Sequence, residues 1–282
     1  MHTDECTGIF YLCASDFHLW RNCLSLNFFS YNTRMDSGQI QSLCQLGQEQ
    51  LTRMEYLEAE RTLAAAEKPA WDVRDFDALA RLYMPLQEAR RQRRQRCGEG
   101  IVRLDILATE MSDRLEGKSF VESFPQGQLL IAGWGSIGPA IDARRAQAKL
   151  GLYVDVFLAA VYPVQSGKIV AIVPTEDVTL PAVQPMAVDV LIRRLAAHSV
   201  VMSADELPVG QMIGTLETYG RVMAIWERLH APFLAAADAT VDPIRRIEAY
   251  RAAIRVDYAC ELAHQGIYAT ARQLCTEGQR TT

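Results

Sequence analysis

Apolar residues recur every three to four positions from Gln39 to Ala66. Ile40, Leu43 and Leu46 make one stripe and Ala59, Leu63 and Ala66 a second, the rhythm of two helices folded into a hairpin. Gly47 and Ala59 are small residues on the facing sides, where two backbones can approach closely, and Pro69 and Trp71 are expected to end the unit. Asp75 is a candidate cap for a third helix with Phe76, Leu79, Ala80 and Tyr83 inward and a bend at Pro85. A fourth helix is predicted from the spacing of Ile101, Leu104, Ala108, Met111 and Leu115, stopping at Gly117.

The period then changes. Gln128 to Ile131, Tyr153 to Val161 and Ile169 to Val173 are runs rich in Val, Ile and aromatic residues, which read as strands. Gln165-Ser166-Gly167-Lys168 fits a hairpin turn between the last two. Helices fit from Pro139 to Gly151 and from Met186 to Ala197, and a brief strand covers Ser199 to Ser203. The resulting order, β-α-β-β-α-β, is that of a ferredoxin-like sandwich. After Pro208 and Gly210 the helical period returns. Leu216, Tyr219, Met223, Trp226 and Phe233 form one stripe; Asp242-Pro243 opens a helix carrying Ile247, Tyr250, Ile254, Tyr258 and Leu262 inward; a short helix around Ala269 to Cys275 closes the chain.

The expected fold is therefore α+β and mostly helical, in four parts. Residues 1–34 are an irregular extension with three cysteines and seven aromatics, 35–117 a helical hairpin region, 118–207 a small α/β module, and 208–282 a C-terminal helical region. Regular patterning begins at Met35, which makes that residue a candidate physiological start.

Residues 40–73 resemble a tetratricopeptide repeat. Leu43, Leu46 and Gly47, then Tyr56, Ala59, Leu63 and Ala66, fall at that family's spacing, although Gln50 stands where an aromatic is usual and Trp71 where the closing proline is expected. Residues 252–282 match in part, through Ala259, Leu262, Gly266, Tyr268 and Ala271, with Cys275 in place of a larger residue. The resemblance implies helix hairpins that bind a protein or peptide. Since one hairpin cannot bury its apolar face alone, the two units must lean on the intervening module or on another chain.

Composition narrows the classes. The chain is 49% hydrophobic and 22% charged with a formal net charge of -5, against a general nucleic-acid binder, which carries a basic surplus. Seven cysteines at irregular spacing, without a CxxC pair, point to reduced thiols. No run approaches the roughly 18 apolar residues of a membrane helix. Asp4 and Glu5 occupy the place of a signal peptide's basic region, so a cytoplasmic protein is expected.

Three strings invite chemistry. Gly133-Trp134-Gly135-Ser136-Ile137-Gly138 fits G-x-G-x-x-G between a strand and a helix, where backbone N–H groups cradle a phosphate or carboxylate. The acid a dinucleotide site needs at the end of the next strand is missing, since Asp155 lies near that strand's start. Gly133, Trp134, Gly135, Ser136 and Gly138 are thus candidate contacts for a small anion, with Trp134 as a wall and Ser136 as a hydrogen-bonding group. Arg90, Arg91, Arg93, Arg94 and Arg96 end the third helix; they point around the whole cylinder, which favours an exposed last turn over a phosphate or RNA contact. Glu227 with His230 and Glu261 with His264 are two Glu-x-x-His pairs of the kind that hold metals in helical bundles, but the further glutamates lie on the same two helices. No catalytic signature and no cofactor are expected. The leading reading is a protein-binding scaffold rather than an enzyme; the alternatives are a small-anion enzyme or sensor at the glycine-rich turn, and a helical metal protein.

Overall fold

The computed structural model describes residues 35–165 and 167–280. Residues 1–34, Ser166 of the predicted hairpin turn, and the cysteines Cys6, Cys13 and Cys23 lie outside them. Helix α1 (Ser37–Thr52) starts at a capping box, with Asp36 accepting from the Gln39 backbone at 2.7 Å and Gln39 answering the Asp36 N–H at 3.1 Å. It pairs with α2 (Tyr56–Asp72), as the hairpin pattern predicts. The buried stripe on α1 is Ile40, Cys44 and Gly47, and Leu46 is turned outward, 41% exposed. Gly47 draws the stripe round because its bare Cα admits Leu63; an added Cβ would stand 2.5 Å from Leu63 Cγ.

Helix α3 (Phe76–Glu99) is capped by Asp75, which accepts from Ala78 N at 2.9 Å, and it continues through Pro85. The fourth helix does not form. Residues 101–107 are strand β1 (Ile101–Leu107), and Gly117, the expected stop, opens α4 (Gly117–Ser123). The segment carried two periods at once, and the alternation of Val102, Leu104 and Ile106 prevailed because β2 (Gln126–Trp134) lies beside it and accepts its backbone. One extra residue between Arg103 and Ile106 makes a bulge, which turns Val102 and Leu104 to one face and Ile106 to the other.

The chain continues through α5 (Gly138–Leu150), β3 (Tyr153–Val164), β4 (Gly167–Ile172), α6 (Val188–Arg194), β5 (Val200–Ser203) and β6 (Met212–Ile213). Gly151, with φ of +65°, supplies the left-handed residue that ends α5. The six strands lie in the order β5-β4-β3-β2-β1-β6; β1, β2 and β3 are parallel and the others antiparallel to their neighbours. The ferredoxin-like expectation is corrected here. That sandwich places a strand between the two that a βαβ crossover joins, whereas β2 and β3 pair directly along Gln126–Trp134. The sheet also takes β1 and β6 from the segments expected to be purely helical.

Helices α7 (Leu216–Asp238), α8 (Pro243–Val256) and α9 (Glu261–Arg280) complete the fold, which is α+β with 58% helix and 17% strand. Asp242 and Pro243 open α8 as expected, Asp242 accepting from Arg245 N at 2.8 Å. The stripe predicted to run on through Tyr258 to Leu262 breaks at Asp257, and Leu262 is exposed on α9. One face of the sheet is covered by α4, α5 and α6, and the other by α7 and Val256 of α8. A third core joins α1, α2, α3, the end of α7, α8 and α9. Helix α3 reaches from this core to β1, β2 and β3. Among the described residues no helix is long and apolar enough to cross a membrane, and Cys44, Cys97, Cys260 and Cys275 are free thiols.

Candidate functional site

The arginine-rich end of α3 is the most consequential departure from the sequence reading. Arg91 and Arg96 are exposed and pair with Glu88 and Glu99 one turn away. Arg94 is 2% exposed, wedged between the sheet and the helices. Its Nε lies 2.6 Å from Asp155 Oδ2 on β3 and its Nη2 lies 2.7 Å from Asp257 Oδ1 after α8. The guanidinium is also stacked over Trp226 and Tyr258. Burial works against its charge, but the Asp257 and Asp155 carboxylates outweigh burial and hold it well above its ordinary pKa.

Around that pair a polar network closes. Tyr258 Oη donates to Asp155 Oδ1 at 2.6 Å, and the Ala259 N–H and His230 Nδ1 donate to the two oxygens of Asp257 at 3.1 and 2.8 Å. Burial would raise the Asp257 pKa; the Arg94 charge and the His230 hydrogen bond bring it to about 2. These bonds explain why α8 ends where it does, since Asp257 and Tyr258 must leave the helix to reach α3 and β3. Next door, Glu60 of α2 accepts from Arg90 Nε at 3.2 Å and Arg93 Nη1 at 2.8 Å.

The network opens into a cleft of about 260 Å³. Its floor is the start of β3, where that strand has a free edge: β4 and the following Val173 pair with it only from Leu158 onward. Arg144 of α5 fills in for the missing strand by donating Nε to the Val156 carbonyl at 2.8 Å. Arg93, Arg144 and Arg255 line the cleft against one carboxylate, Asp155. Glu176 is 3.9 Å from Arg144 and only weakly compensates it; burial is the largest effect and lowers the Arg144 pKa to about 10. Two further donors on lining residues, Arg93 Nε and Trp226 Nε1, are buried without an acceptor. Gln128, directly opposite Asp155 in the sheet register, is fully buried with neither amide atom paired. Part of this was legible in sequence. Asp155 interrupts the apolar run from Tyr153 to Val161, and a charge inside a buried strand requires an opposite one.

The glycine-rich turn sits where the pattern placed it, between β2 and α5. Gly135 takes a φ of +59° and an added Cβ there would run into Val183 Cγ2. The Gly135 N–H donates to the Val161 carbonyl at 2.9 Å, the Ser136 N–H to the Gly133 carbonyl at 3.3 Å, and the Gly138 N–H to Ser136 Oγ at 3.1 Å. Trp134 is half-buried with Lys168 Nζ 5.7 Å from its ring, and Ser136 is exposed. The parallel strands run β1-β2-β3 without a reversal of order, so there is no crevice between them of the kind that receives dinucleotides. The two Glu-x-x-His pairs do not converge. His230 is bound to Asp257; His264 donates Nδ1 to the Cys260 carbonyl at 2.8 Å and faces Arg90 at 3.1 Å. Among the described residues no group of three His, Cys, Asp or Glu side chains is placed to hold a metal ion. No family model, no curated protein and no solved structure matches the chain.

Proposed function

We propose that the chain binds a small anionic ligand, a phosphate or carboxylate, in the cleft at the free edge of β3, and acts as a binding or sensing module. The surplus of donors carries this reading. Three guanidinium groups line the cleft, Arg93 held by Glu60 and Arg144 3.9 Å from Glu176, and the buried N–H groups of Arg93 and Trp226 lack acceptors. An anion supplies acceptors and charge together, and Arg144, whose charge burial disfavours, is a cation it would relieve. The volume suits a ligand smaller than a nucleotide. Tyr258, whose pKa burial and Asp155 raise well above the usual value, serves as a neutral hydrogen-bonding wall rather than a base.

Thermal shift with orthophosphate and citrate, against chloride at equal ionic strength, tests the reading. A ligand at a hundredfold its Kd stabilises by about 2.7 kcal/mol, or roughly 5–10 °C in a unit of this size. The rise should vanish in Arg144→Gln; an equal rise with chloride, or one indifferent to that substitution, refutes it.

A second reading, docking of a protein or peptide, has its own support. Val209, Ile213 and Leu216 are 88%, 71% and 89% exposed beside the two-residue edge strand β6. The close approach of α1 and α2 at Gly47 supports the tetratricopeptide-like part of that reading. Charging the patch with Ile213→Asp should abolish capture of any partner the parent chain retains; retained capture removes this surface from the reading.

A further inference from the structure

A second and larger cavity, about 580 Å³, lies between α2, α3 and α8. Four cations line it, Lys68, Arg90, Arg251 and Arg255, beside Glu67 and Asp72, with Glu60 against Arg90. Arg255 lines both cavities; it is exposed and makes no hydrogen bond or close ion pair among the described residues, and the acid that feels its charge is Asp177. Other cations around the two cavities are already engaged: Arg251 with Glu67 at 2.6 Å, Lys68 with Asp72 at 2.6 Å, and Arg90 and Arg93 with the two oxygens of Glu60. Glu60 therefore binds the wall between the cavities, while Arg255 is the cation left over at their junction.

We propose that the ligand is an elongated molecule with an anionic group at each end, one end in the β3-edge cleft, the other in the α2–α3–α8 cavity, and Arg255 at the junction. This rests on the anion-binding reading above. On α3 the larger cavity is lined by Tyr83, Leu86 and Arg90 and the cleft by Arg93. At 1.5 Å of rise per residue these stand about 5 to 15 Å from Arg93 along the helix. A single phosphate cannot occupy both ends, whereas a short polyphosphate or a terminal bis-phosphate can. The occupant is a small molecule rather than a nucleic-acid strand, because the chain's net charge of -5 opposes a long polyanion.

The experiment is calorimetric titration of the full chain with orthophosphate, pyrophosphate and longer linear polyphosphates at constant ionic strength. Lys68→Gln reports on the larger cavity, Arg144→Gln on the cleft, and Arg255→Gln on the junction. Lys68 is 77% exposed, so its substitution leaves the fold intact. The expected result is one long polyphosphate per chain, bound at least tenfold more tightly than orthophosphate, with each substitution removing most of that gain. Orthophosphate in the cleft should ignore Lys68→Gln. Binding of orthophosphate with no gain at greater length, two long ligands per chain, or indifference to Lys68→Gln overturns the spanning ligand and leaves the cleft reading standing. Absence of binding by every member of the series overturns both.

Discussion

Replacing Arg94 with methionine removes a charge that two buried carboxylates share. Asp155 and Asp257 are 3% and 1% exposed, so each must stay ionised without its guanidinium or take up a proton. Removing one member of a buried ion pair costs about 3–5 kcal/mol, because the stranded charge keeps its desolvation penalty. Each kcal/mol lowers Tm by roughly 2–4 °C in a unit of this size, so Arg94→Met should melt about 6–20 °C below the parent at neutral pH. The triple variant Arg94→Met, Asp155→Asn, Asp257→Asn removes the stranded charges as well and should recover a large part of the loss. Acid adds an independent signature. With a folded pKa of about 2 against an ordinary 3.8, Asp257 contributes stability that is present above about pH 4 and lost as pH falls toward 2. The contribution is on the order of 2 kcal/mol. Without Arg94 the Asp257 pKa moves back up, so the melting temperature of Arg94→Met should fall less steeply over that window. Melting curves followed by circular dichroism at several pH values measure all of this. A single variant within about 2 °C of the parent, or a triple variant no more stable than the single, would refute the reasoning.

At the β2–α5 turn, Gly135→Ala should lose about 2–5 kcal/mol, from a left-handed backbone at roughly 1–2 and overpacking against Val183 at roughly 1–3. Adding Val183→Ala should return the second part, and a Gly135→Ala protein that melts like the parent disposes of the steric explanation. His264 is held neutral by burial, reinforced by the Arg90 charge, with its pKa lowered to about 3. An unfolded histidine takes its proton near pH 6.5, so stability should fall with pH below that point, by up to about 1.4 kcal/mol per unit down to about pH 3. In an NMR titration the His264 ring signals should stay flat from about pH 8 to 4; an inflection near 6.5 would contradict the neutral imidazole.

The candidate site was legible in pieces that the sequence had no means of joining. In sequence Asp155 is an acid in the wrong place for a dinucleotide, Tyr258 one step of an apolar stripe, and Arg94 one of five arginines around a cylinder. Joining them needed distances. Arg94 and Asp257 are 163 residues apart in sequence and 2.7 Å apart in space. The glycine-rich string carries a recognisable pattern that the dispersed arginines and acids lack, but its N–H groups are spent on Val161 of β3 and on its own turn.

The sequence by itself determined what depends on neighbours within one or two turns. It set the α1–α2 hairpin, the caps Asp75 and Asp242, the strand–turn–helix at Gly133 to Gly138, and the apolar runs of β2, β3 and β4. Only the tertiary structure decided the rest: that residues 101–107 become a strand, that β2 and β3 pair directly, that α8 stops at Val256, and that three of the five arginines turn inward. The physical reason is that local period reports which side of an element is apolar, while the fate of a backbone edge or a charge depends on what desolvates it. For β1 that was a parallel strand to accept its N–H groups, and for Arg94 it was two carboxylates brought in from distant parts of the chain.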